Sequence, residues 1–136
     1  MRTAAVRLVL ATGGVPALAL IVTAALGEMW SARLPRVVAT HWGVSGAADG
    51  AAGLGTLTTW CLTVGGVLTV VGTVAALVLL RQGRGSRRAV VGTWVLLASA
   101  PAATLLTSLV TTLDAPHWRQ ASGPAVALGV LLGGMV

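Results

Sequence analysis

Five side chains in this sequence have the chemistry to bind a cation, move a proton or hold a polar ligand: Glu28, His41, Asp49, Asp114 and His117. Two imidazoles with carboxylates would make a zinc set, because zinc takes nitrogen and oxygen ligands in a tetrahedron. The metal candidates are therefore His41, Asp49, Asp114 and His117. Only Asp114 and His117 stand at helical i, i+3 spacing, and they lie in the proline-containing stretch "DAPHWRQASGP". Spacing thus singles out no metal centre, and no cofactor is expected. His41 is also a candidate proton sensor, since imidazole changes charge near neutral pH. A hydrolase needs a nucleophile, a base and an orienting group converging on one pocket. No such set is marked, so a non-enzymatic chain is expected.

The elements that must position these residues are apolar. Of 136 residues, 56% are hydrophobic and only 9% are charged, against about 25% charged in an ordinary soluble domain. Uncharged runs cover residues 8–27, 57–80 and 89–113. Each reaches the ~20 residues that cross about 30 Å of hydrocarbon at 1.5 Å per residue. In lipid the backbone must satisfy its own hydrogen bonds, so each run should be helical. The expected fold is an all-α membrane protein. It is a small polytopic helix bundle with three full transmembrane helices (about 6–27, 57–80 and 89–113) and a fourth, short or truncated one (124–136). The connections are an outer loop at 28–56, an Arg-rich inner loop at 81–88 and an outer loop at 114–123. Gly13, Gly14 and Pro16 should bend the first helix, whose length exceeds the 7–15 apolar residues of a signal peptide.

All nine basic residues are Arg. Arg81, Arg84, Arg87 and Arg88, with Arg2 and Arg7, fall on one side of the runs, and Arg33, Arg36 and Arg119 on the other. The positive-inside rule then places the N-terminus in the cytoplasm of a multi-pass cell-membrane protein. Trp30, Trp42, Trp60 and Trp118 gather near the opposite interface, as an aromatic belt would. The four Arg of the inner loop should set topology and touch anionic lipid headgroups. They lie between apolar runs rather than along one polar face, and no stacking platform accompanies them, so nucleic acid is not an expected partner. The lone Cys61 excludes an intrachain disulfide and a thiol pair.

The polar residues of the first outer loop sit in "LPRVVATHWGVSGAADG", residues 34–50. Pro35 pushes Leu34 into an extended conformation, and Val37, Val38 and Thr40 favour extended chain. Gly43, Ser45, Gly46 and the Asp49-Gly50 pair carry turn chemistry. The stretch reads as an extended segment, a tight turn that includes Asp49, and a Gly/Ala-rich lead into the next helix. His41 would bond loop backbone and Trp42 would anchor at the headgroups.

At these residues the chain resembles the bacterial membrane domain of unknown function 1648, the amino-terminal domain of SdpI-like immunity proteins. The residues that carry the resemblance are Leu34, Pro35, Thr40, His41, Trp42, Gly46, Asp49 and Gly50, placed after the first membrane helix. Members usually have a proline before the Thr-His pair, where this chain has Ala39. The resemblance covers about residues 5–80 and implies a multi-pass membrane protein. SdpI-like members protect a cell from a secreted membrane-active toxin and can signal its presence by recruiting a repressor. The resemblance therefore implies immunity to, or sensing of, a membrane-active peptide, with that peptide or a membrane-protein partner at the outer loop.

A small oligomeric transport or channel subunit is the alternative. Gly129-x-x-x-Gly133 would give it a close helix-packing face and a homo-oligomer. The small pairs Gly72/Ala76 and Thr104/Ser108 have the same spacing. No ionisable residue lies deep within a run, which argues against proton-coupled transport through this chain alone. Thr and Ser in the second and third helices are expected to hold helices together.

Overall fold

The computed structural model describes residues 2–123. The short fourth helix at 124–136, with Gly129 and Gly133, lies outside the described residues. Among those described, three helices are long and apolar enough to cross a membrane: Val6–Met29, Leu54–Arg81 and Arg87–Thr112. The first is composite. Helix α1 (Arg2–Val9) passes through a π-helical turn, Leu10–Gly14, into α2 (Val15–Met29). Helix α3 is Leu54–Arg81 and α4 is Arg87–Thr112.

The π turn has a local cause. Pro16 has no backbone N–H, and in a regular α-helix its ring would press on the carbonyl four residues back. Here Val15 instead donates its N–H to the Leu10 carbonyl, five residues back. The wider turn absorbs the proline without breaking the helix. Thr12, buried within it, donates its hydroxyl to the Leu8 carbonyl at 2.9 Å. Helix α4 likewise carries Pro101 in its interior and continues past it.

The threonine hydroxyls bond locally. The hydroxyls of Thr12, Thr23, Thr69, Thr73 and Thr111 all donate to the carbonyl four residues back in their own helix, at 2.7–2.9 Å. These donors are satisfied within one helix and are not the bonds that join helices.

The chain divides into two compact units. One comprises the residues up to Thr23 together with Trp60–Ala103; the other comprises Ala24–Thr59 together with the residues from Thr104. In the first unit, α3 buries a stripe of small residues, Cys61, Gly65, Gly72 and Ala76. A Cβ on Gly13 would lie 3.2 Å from the Thr73 hydroxyl, and one on Gly65 would lie 2.7 Å from a Leu20 methyl. The Trp94 ring lies on Gly72, where a Cβ would come within 3.0 Å of it. The small spacing at Gly72 and Ala76 is thus a packing face, and close approach is what such residues permit. Many valines of α3 are exposed: Val67, Val70, Val71, Val74 and Val78. Apolar side chains outward and small ones inward is the arrangement a lipid solvent requires.

The second unit adds what the all-α expectation omitted, a two-stranded antiparallel sheet. Strand β1 is Val37–Trp42 and β2 is Ala48–Gly53. The sheet packs with a 3-10 turn at Trp118–Gln120. In the helical part of this unit Leu105, Ser108, Leu109 and Thr112 are fully buried, and Gly27 lets Leu109 come within 3.5 Å of where its Cβ would stand.

Two substitutions check the packing face of α3. Gly72→Leu should destabilise the detergent-solubilised protein by about 1–3 kcal/mol through overpacking against Trp94. At Gly66 a Cβ meets no atom within 4 Å, so Gly66→Ala should be neutral or stabilising, by up to about 1 kcal/mol. Thermal unfolding of both variants measures the contrast.

Candidate functional site

The hairpin begins where Pro35 ends the irregular segment after α2. Val37 and Val38 start β1 with β-branched side chains, and Val38 is fully buried. The loop between the strands closes on two glycines. Gly43 donates its N–H to the Ala47 carbonyl at 2.9 Å, and Gly46 donates to the Gly43 carbonyl at 2.9 Å. Gly46 has φ +78°, a left-handed conformation that side chains disfavour. At the base of the hairpin Leu54, the first residue of α3, donates to the Arg36 carbonyl at 3.0 Å.

The strand register shifts twice. Ala39 faces Ala51, His41 faces Gly50, and Trp42 faces Ala48. Thr40 is therefore the extra residue of β1 and Asp49 the extra residue of β2. Such bulges re-aim side chains, and here they bring His41 and Asp49 together. His41 Nδ1 and Asp49 Oδ1 are 2.5 Å apart, and both side chains are exposed, at 72% and 52%. A carboxylate only accepts, so the shared hydrogen resides on Nδ1 and fixes the ring. Nε2 is left to face solvent as an acceptor in the neutral ring or a second donor in the imidazolium. Two glycines make room for the pair. A Cβ on Gly50 would fall 2.9 Å from the His41 Cβ, and one on Gly43 would fall 3.1 Å from Asp49 Oδ2.

Asp49 and Gly50 thus lie in a strand, where the sequence reading placed a turn. The reason is chemical: "ADGAAG" has almost no β propensity of its own. It is extended because β1 pairs with it and because its small side chains fit a tight core. That core is Ala39, Ala48 and Ala121, against which Trp42 and Trp118 pack. Trp42 is thus half-buried in the hairpin core. Its indole Nε1 is buried with no hydrogen-bond partner among the described residues.

The stretch after α4 completes this unit. Asp114, at φ +59°, donates its backbone N–H to the Arg33 carbonyl at 3.1 Å. Its carboxylate accepts from both the Arg33 Nε, at 2.9 Å, and Nη2. Bidentate pairs of this kind fix orientation as well as adding energy. The bonded guanidinium holds the Asp114 carboxyl below its usual range, and the carboxylate raises the Arg33 guanidinium in turn. Thr112 accepts the Ala39 N–H on its hydroxyl oxygen at 3.2 Å. Ser122 donates its backbone N–H to the Thr111 carbonyl at 3.0 Å. Arg119 stacks over the Trp118 ring, 4.7 Å from its centroid, and its N–H is accepted by His117 Nδ1 at 3.2 Å.

The metal candidates are therefore divided. His41 and Asp49 bond each other, Asp114 is held by Arg33, and His117 caps its own turn. Among the described residues no three His, Cys, Asp or Glu side chains gather to hold a metal. The other motif residues act on backbone geometry: Gly46 and Gly50 permit the turn and the close pairing, and half-buried Leu34, Pro35 and Thr40 lead into and along β1. Sequence reasoning named Arg33 and Ala39 but missed the bonds they make. Arg33 lies 81 residues from its partner, a separation no local pattern reveals. At position 39 a family-like proline would have lacked the N–H that Thr112 accepts, so the Ala was the available signal.

By length and composition the three long helices are those of a multi-pass membrane protein, here with a folded polar unit built on its connections. Comparison with family models, curated proteins and solved structures finds no match to the chain.

Two outcomes follow for this unit. Ala39→Pro should cost on the order of 1–3 kcal/mol, because it removes the donor to the fully buried Thr112; thermal unfolding measures it. The Arg33–Asp114 link should be complete above the ordinary carboxylate range and disappear as pH falls through the depressed Asp114 value. Amide-exchange protection at 113–115, corrected for the intrinsic pH dependence of exchange, should fall over that acidic window in the native protein and be low throughout in Asp114→Asn.

Proposed function

We propose that this chain is a non-enzymatic, SdpI-like cell-membrane protein whose hairpin recognises membrane-active peptides on the extracytoplasmic side. The observation that carries this reading is the division of labour within the Thr40-His41-Trp42 motif. Trp42 and the motif glycines are committed to building the hairpin, whereas His41 and Asp49 are exposed and held in one orientation. With the ring neutral, a pre-oriented imidazole–carboxylate pair offers acceptor atoms and a negative charge to a ligand. Cationic peptides that act on membranes carry the complementary charge.

Sidedness rests on charge. Six Arg accompany the amino terminus and the connection between α3 and α4, against Arg33, Arg36 and Arg119 beside the hairpin. The positive-inside rule then favours a cytoplasmic amino terminus.

Two measurements test the proposal. In a Cys61→Ala background, Val44→Cys on the fully exposed hairpin loop should react with a membrane-impermeant thiol reagent in intact cells. Arg84→Cys should react only after permeabilisation. Cells lacking the gene should be more sensitive to at least one member of a panel of membrane-active peptides. The wild-type gene should restore resistance, while His41→Ala and Asp49→Asn, present at normal membrane levels, should not. Unchanged sensitivity of the deletion strain across the panel would remove the immunity reading.

A further inference from the structure

All the ionic side chains of the first unit have one sign. The three carboxylates of the chain, Glu28, Asp49 and Asp114, belong to the second unit. Within the first, Arg7, Arg87 and Arg88 line one open cleft of about 430 Å³ together with Leu8, Ala11, Val91 and Gly92. That volume lies in the range of small-molecule sites, about 300–1,000 Å³.

The cleft has a polarity along its length. Its cationic residues stand at the starts of two membrane-length helices, Val6–Met29 and Arg87–Thr112. Its apolar walls stand up to one turn further along the same helices. Where such helices enter a bilayer, the guanidinium groups fall at headgroup level and the walls at the first methylenes. Cation first and hydrocarbon next is the complement of a phospholipid. The start of α4 adds to the positive end: Ser86 caps it by accepting the Ala89 N–H at 3.3 Å, and the helix dipole favours an anion there.

We propose that this cleft binds one anionic phospholipid. Its phosphodiester lies between Arg7 and the Arg87–Arg88 pair, and its proximal acyl chain runs along Leu8, Ala11, Val91 and Gly92. Arg suits the role because its planar fork pairs with two phosphate oxygens at once. The groove is open over Gly92, where a Cβ would meet no atom within 4 Å. A phosphopeptide or nucleic acid would satisfy the guanidinium groups but leave the apolar walls uncovered.

The test is lipid titration of the full chain in neutral detergent micelles, read by native mass spectrometry. Phosphatidylglycerol should bind as a single retained lipid, and phosphatidylcholine should not. Arg7→Gln with Arg88→Gln should weaken retention about twenty-five-fold, taking about five-fold for each arginine near the headgroups. Arg81→Gln with Arg84→Gln removes the same charge outside the cleft and should leave retention unchanged. Gly92→Leu keeps every charge and fills the groove, so it should also lose the lipid. Inorganic phosphate at the same concentration should neither bind nor compete. Equal retention of phosphatidylcholine, an equal loss in the Arg81/Arg84 variant, unimpaired binding by Gly92→Leu, or full competition by phosphate would each overturn the proposal.

Discussion

The backbone of a helix in hydrocarbon has no water to turn to, and the rest of this structure follows from that constraint. Two kinds of irregularity within the long helices are resolved inside the helix itself. Pro16 is accommodated by a π turn that reassigns the Val15 N–H to Leu10. Five threonine hydroxyls return to carbonyls of their own helix. A chain with so few ionic groups has little else with which to satisfy a polar atom at depth.

With apolar solvent outside, hydrophobic burial cannot decide which helix faces meet. Size decides instead. Helix α3 turns Gly65, Gly72 and Ala76 inward and valines outward, and Trp94 uses the space over Gly72. The polar unit obeys the same economy at smaller scale. Its core is three alanines under two tryptophans, and glycines stand wherever the His41–Asp49 pair needs room.

The spans were legible because length and charge gaps are one-dimensional properties. The membrane expectation needed only the distance between charged residues. The strand β1 was legible from Val37, Val38 and the preceding proline. Strand β2 was not, because Ala and Gly carry no β signal and its extension is imposed by its neighbour. The motif residues could be named from sequence, but their roles could not. Asp49 and Gly50 look like a turn until two bulges place one beside His41 and the other beneath it. The Arg33–Asp114 link and the Ala39–Thr112 bond were invisible for a different reason: their partners lie on opposite sides of two complete helices in the chain.

That separation has a consequence for how the protein comes into being. Residues 33 and 114 are 81 positions apart, and 39 and 112 are 73 apart. Neither bond exists until α4 has been synthesised and returned to the side of the membrane where the hairpin waits. Until then the hairpin lacks Ala121 and Trp118 as well, and its buried faces are open. The finished polar unit is therefore a record of completed insertion, since a chain stalled after α3, or one whose α4 fails to cross, has no means of closing it.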